Sequence, residues 1–161
     1  MSGFIAGKII GILVLVLFSA YFSATETAFA SLNRTRLRTL AEDGNKKARL
    51  ALSLSENYDK LLSTILIGNN IVNISAASLG TLLFVQLLGD MGATVSTIVL
   101  TVVVLIFGEI TPKSAAKDSP ERFAMFSAPI LRVLLTVLTP VNFLFTQWKK
   151  LVNRVVKPSD D

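Results

Sequence analysis

LLSTILIGNNIVNISAASLGTLLFVQLL, residues 61–88, carries no charged side chain from end to end. A helix rises about 1.5 Å per residue, so about 20 apolar residues cover the roughly 30 Å hydrocarbon core of a bilayer. The run is long enough to cross, and it sets the class of the chain as an integral membrane protein. Working outward, a second apolar segment follows from Met91 to about Ala116, with Glu109 and Lys113 in its last part. Another precedes it, from Phe4 to about Leu32, broken only by Lys8 and Glu26. A fourth runs from Phe123 to Trp148 and contains Arg132. The composition agrees, with 52% hydrophobic residues and a mean hydropathy of +0.60. The apolar run after Lys8 continues to about Phe22 with no strong small-residue cleavage site, so it reads as a retained transmembrane helix rather than a signal peptide.

The segments between these runs hold most of the charge. Asn33 to Lys60 contains Arg34, Arg36, Arg38, Lys46, Lys47, Arg49 and Lys60. Basic loops stay on the cytoplasmic side, which puts the N-terminus outside. Gly89-Asp90-Met91-Gly92 has no Lys or Arg and suits an outer turn. Lys113, Lys117 and Arg122 then mark a cytoplasmic end. The net charge of +5 is explained by these loops facing an anionic leaflet, and no nucleic-acid partner is expected. The fourth segment is basic at both ends, with Lys149, Lys150, Arg154 and Lys157 after it, and holds Pro129 and Pro140. It reads as a bent, re-entrant or interfacial helix pair; the other reading is a fourth span with a proline kink. The basic loop itself reads as a helical hairpin broken at Gly44-Asn45, with Leu37, Leu40, Ala41, Ala48, Leu52 and Leu54 approximating an apolar stripe. The expected fold is therefore all-α: three transmembrane helices, a juxtamembrane helical belt and a bent C-terminal helix pair, with the C-terminus cytoplasmic.

Polar groups inside membrane segments are expensive and informative. Ser23 and Glu26 are three residues apart and share a helix face. Glu26 serves either an ion or a loop arginine. Asn69 and Asn73 share a face four residues apart, with Asn70 between them. Asparagines in a span act as interhelical glue or as hard carbonyl ligands. In Gly108-Glu109-Ile110-Thr111-Pro112-Lys113, the proline lacks an N–H and clashes with the carbonyl four residues back, so a helix break beside Glu109 is expected. Such breaks line cavities or bind ions in membranes; the alternative is a kink in which Glu109 pairs with Lys113. If the three clusters converge, they supply one carboxylate, a hydroxyl, amide oxygens and freed carbonyls. That set suits a hard cation such as magnesium, calcium or sodium. The chain has no cysteine or histidine, hence no disulfide and no soft-metal site. With no nucleotide loop or paired catalytic carboxylates either, an enzyme is not expected.

The runs Ser23-Ala24-Thr25-Glu26-Thr27-Ala28-Phe29-Ala30-Ser31, Ile67-Gly68-Asn69-Asn70-Ile71-Val72-Asn73 and Phe107-Gly108-Glu109-Ile110-Thr111-Pro112-Lys113, in this order, resemble the CNNM/CorC family. The resemblance covers about residues 5 to 150. It implies a homodimer in the cell membrane, each subunit with three transmembrane helices and a juxtamembrane belt. It implies magnesium efflux driven by inward sodium. The ligands it implies are Ser23, Asn69, Asn73 and Glu109, with a main-chain oxygen near Ala115, where some members have glycine. Glu26 falls on an ion path, and Asn70, Gly108, Pro112 and Lys113 lie in the same motifs. Full-length members add a CBS-domain pair that binds ATP. On this expectation residues 1–150 form the transmembrane domain, and 151–161 begin a linker to such a pair. The competing function is a magnesium-sensing regulator or scaffold that does not itself transport.

Overall fold

A computed structural model describes residues 2–156. It contains α1 (Ser2–Ser31), α2 (Arg34–Glu42), α3 (Lys46–Glu56), α4 (Tyr58–Leu88), α5 (Gly92–Val103), α6 (Thr111–Asp118), α7 (Pro120–Val137) and α8 (Thr139–Val156). A 3-10 turn at Gly89–Met91 joins α4 to α5, and a π-helical segment at Val104–Ile110 joins α5 to α6. Among the described residues there is no strand. The expected all-α membrane fold is the observed one.

The 61 residues from Tyr58 to Asp118 are almost continuously helical. Laid straight they would extend about 90 Å, roughly three bilayer cores. The chain instead doubles back at Gly89, whose φ of +66° is open to glycine at no steric cost. Gly92 then seats α5 on α4: a β-carbon there would fall 2.5 Å from the Phe84 carbonyl oxygen. Further along the hairpin, Gly80 meets Leu100 and Ser96, which gives the antiparallel register. α1 runs antiparallel to α4 as well, with Gly11 against Leu79 and Phe22 against Gly68. Three membrane-length paths result: α1, α4, and α5 through α6. Their outer faces expose Leu13, Leu17, Phe18, Ile71, Ile74, Leu82, Ile98, Val102 and Phe107. An apolar surface of this extent needs lipid around it.

At the basic end of the bundle, α2 and α3 form the expected hairpin. Asn33 and Asn45 cap them by accepting from the N–H groups of Arg36 and Ala48. Gly44, at φ +97°, makes the turn between them. Leu37, Ala41, Ala48 and Ala51 are buried in a cluster with Phe29, Leu61, Ala124 and Leu131, which ties the belt to α1, α4 and α7. A smaller cluster of Ile12, Val16, Leu83 and Leu100 closes the opposite half.

The C-terminal pair is bent by 72° between α7 and α8. The prolines do not bend it as the sequence suggested. α7 continues through Pro129, and Pro140 sits in the first turn of α8, where a missing N–H is harmless. The hinge is Leu138, the C-cap of α7. Residues 151–156, at the start of the expected linker, are helical and complete α8; the rest of that stretch, 157–161, lies outside the described residues. Expected at Pro112, a helix break is likewise replaced by a wide turn. The N–H of Thr111 reaches back to the Ile106 carbonyl, five residues away, and Pro112 enters the first turn of α6. A π turn absorbs the extra residue that a proline would otherwise force out of the helix.

α7 is held to α1 by a buried hydroxyl pair, Thr25 Oγ1 and Ser127 Oγ at 3.1 Å. Thr25→Val or Ser127→Ala is expected to lower stability against denaturant in detergent by about 1 kcal/mol each. The double variant should lose less than the sum, and additive losses would refute the coupling.

Candidate cation site

Ser19, Ser23 and Glu26 recur along one face of α1. Ser19 and Ser23 are fully buried, and Glu26 is half-buried toward the basic end. α4 turns Asn69 and Asn73 to the same interior. The Ser19 hydroxyl donates to Asn69 Oδ1 at 3.3 Å, and Asn73 Nδ2 donates to the same oxygen at 3.4 Å. Both distances are at the long limit for a hydrogen bond, so this oxygen is weakly held. The π segment closes the third side. A β-carbon on Gly108 would come within 2.9 Å of Ser19 Oγ, so glycine lets that backbone lie against α1 without displacing the Ser19 hydroxyl. Glu109, the next residue, is half-buried.

Helix direction draws these groups together. Side chains lean toward the N-terminus of their own helix. Asn73 on α4 therefore leans toward the basic end, and Ser23 on the antiparallel α1 leans away from it. Both lean toward the level of Ser19, Asn69 and Gly108. Ser23 Oγ and Asn73 Oδ1 are buried with no hydrogen-bond partner. An unsatisfied buried polar atom costs about 1–3 kcal/mol, and the bilayer offers no water to relieve it. Asn73 Oδ1, on the residue bonded to Asn69, and Ser23 Oγ, one turn along α1 from Ser19, are thus acceptors short of a donor or a cation.

The remaining candidates divide. Pro112 and Lys113 are half-buried just below Glu109, while Ala115 is exposed on α6. Asn70 does not join the set. It is exposed and lines a separate cavity of about 420 Å³ with Val141 and Phe145 of α8. Neither alternative ion pair forms: among the described residues the single ion pair is Asp59–Lys149, so Glu26 has no arginine and Glu109 does not take Lys113. No group of three or more acidic residues able to hold a metal occurs among the described residues. A cation here would be held by one or two carboxylates and neutral oxygens. Ser19 was missed from sequence. Its signal was the spacing of four to Ser23 and seven to Glu26, obscured because a lone serine in a span usually bonds its own helix.

Asn73 also opens on a groove of about 310 Å³ between α4 and α5, lined by Thr81, Ser96, Thr97 and Thr101. This groove leads from the polar set toward the Gly89 turn.

Residues 10–161 match the family described as Cyclin M transmembrane N-terminal domain. The chain is 47% identical over 148 residues to a UPF0053 protein of Haemophilus influenzae, covering 92% of this chain and 35% of that protein. It is 42% identical over 138 residues to the UPF0053 inner membrane protein YfjD of Escherichia coli strain K12, covering 86% of this chain and 32% of that protein. A more distant relative, 27% identical over 163 residues, is the polyamine export protein of the same strain, with 93% of this chain and 36% of that protein covered. The chain thus spans about a third of the length of these curated relatives.

Proposed function

The chain belongs to the Cyclin M transmembrane domain family, and from that premise we propose that it is the ion-conducting part of a membrane transporter that exports magnesium in exchange for sodium. The observation that carries this reading is the pair of unpartnered buried oxygens, Asn73 Oδ1 on the residue bonded to Asn69 and Ser23 Oγ one turn along α1 from Ser19. Magnesium takes about six oxygens at close to 2.1 Å and gives up its water reluctantly. Ser23, Asn69, Asn73 and Glu109, with a main-chain oxygen near Ala115, supply part of that shell, and retained water supplies the rest. With so little negative charge, binding is modest, which suits an ion that must be released. Ser19 positions Asn69 through its hydrogen bond.

Alternating access follows from the same parts. Glu26 lies on the cytoplasmic approach, and the groove from Asn73 past Ser96 leads outward. The π segment is the element whose repacking would switch between them, since a wide turn can revert to an α turn by a one-residue shift. The working unit is a homodimer, with the N-terminus outside and the α2–α3 belt in the cytoplasm. ATP enters only through a CBS-domain pair elsewhere in the full-length protein.

The test is flux from proteoliposomes loaded with a magnesium-sensitive dye. A sodium gradient is expected to drive magnesium movement that Glu109→Ala removes. Magnesium binding without flux would favour the sensor reading. A relative named for polyamine export makes spermidine the second cargo to try; spermidine flux with no magnesium flux would replace the ion assignment.

A further inference from the structure

A second polar cavity, sharing no residue with the cation site, lies between the first turns of α4 and α8. It has a volume of about 540 Å³ and is lined by Lys60, Ser63, Asn142, Gln147, Lys149 and Lys150, with Asp59 at its edge. We propose that this cavity binds the headgroup of an anionic glycerophospholipid.

Charge is the first argument. Three lysines face one aspartate, and Asp59 is already paired with Lys149 at 3.7 Å. Lys60 and Lys150 have no carboxylate partner among the described residues. A phosphodiester is the counter-charge they lack. The second argument is an unpartnered buried acceptor. Asn142 is 6% exposed; its Nδ2 donates to Thr64 Oγ1 at 2.9 Å, which aligns the amide, and its Oδ1 has no partner. That oxygen asks for a donor, which the phosphodiester itself lacks and a glycerol hydroxyl or an ammonium on the headgroup provides.

Depth is the third argument. The charge-free part of α4 begins at Leu61, so Lys60 marks the membrane boundary. Phe143 and Phe145 of α8 line the cavity and are exposed, and Trp148 on the same helix is exposed too, an amphipathic ring of the kind that collects at that level. A lipid whose phosphate meets Lys60 and Lys150 would lay its acyl chains along Phe143 and Phe145. The lipid would also brace the start of α4 against α8, two elements otherwise joined at this level by an exposed ion pair and the Asn142–Thr64 bond.

The experiment is native mass spectrometry of the detergent-solubilised protein after incubation with equal phosphatidylglycerol and phosphatidylcholine. Wild type is expected to retain phosphatidylglycerol in preference. Lys60→Gln with Lys150→Gln should reduce that preference by roughly twenty-five-fold, about a factor of five for each lysine. Lys60→Arg with Lys150→Arg should keep it, which separates lost charge from lost folding. Equal retention of the two lipids by wild type, or an undiminished preference in the glutamine variant, would overturn the proposal. So would displacement of the lipid by glycerol 3-phosphate at matched phosphate concentration, which would make the cavity a soluble phosphate site. Magnesium flux does not enter this readout, so its outcome is independent of the transport reading.

Discussion

Asn73→Ala and Glu109→Ala are each expected to abolish the protection that magnesium gives against thermal unfolding. A ligand at about a hundredfold above its Kd stabilises the folded state by about 2.7 kcal/mol. Wild-type protein titrated with magnesium should therefore show a rising melting temperature that saturates, and both variants should stay flat. Asn73→Ala removes the buried oxygen that has no partner and also the amide that donates to Asn69. In the absence of magnesium its cost should be small, because the oxygen it deletes is unsatisfied and the donated bond it loses is a long one, at 3.4 Å. The control is Asn70→Ala. Asn70 lies three residues from Asn73 in sequence but opens toward α8, away from Ser19 and Gly108, so its variant should keep full magnesium protection. Protection retained in both site variants would remove Asn73 and Glu109 from the ligand set. Protection lost in Asn70→Ala as well would point to a general effect on α4.

The largest structural effect is expected at Gly92. Its conformation, φ −60° and ψ −43°, is ordinary helix, so any residue fits the backbone. Space is the obstacle. A β-carbon would meet the Phe84 carbonyl carbon and oxygen at 2.5 Å and the Val85 nitrogen closer still. These are main-chain atoms held in α4 and cannot rotate aside. Gly92→Ala must therefore push α5 away from α4 and open the hairpin behind Gly80, at a cost of about 3 kcal/mol, the upper end for overpacking. Gly7→Ala is the matched control: its β-carbon meets nothing within 4 Å, and alanine gains up to about 1 kcal/mol in helix propensity. Unfolding in detergent should separate the two variants clearly. A Gly92→Ala protein as stable as wild type would mean that the α4–α5 contact is looser than described.

These two cases divide along the line between what was legible in the chain and what was not. The uncharged run 61–88, the basic loop 33–60 and the Gly89 turn set the number of spans and the helical belt, because the cost of charge in hydrocarbon and of an unpaired backbone leaves few alternatives. Asn69, Asn73 and Glu109 stood out for the same reason. The consequence of Pro112 did not follow from local rules: a proline predicts lost hydrogen bonds, but whether the helix snaps or widens depends on what packs beside it. Here the turn is wide, and Gly108 within it packs against Ser19. The hinge at Leu138 rather than at either proline is of the same kind.

By itself, then, the sequence determined that this is an all-helical membrane protein of the Cyclin M family with a few costly polar residues in its spans. Only the tertiary structure decided which of them meet. Periodicity places residues on a face of their own helix, but the neighbour that face receives is set by register between helices. That register brought Ser19 to Asn69, turned Asn70 toward α8, left Ser23 and Asn73 each with an unpartnered oxygen, and set Lys60 and Lys150 around Asn142.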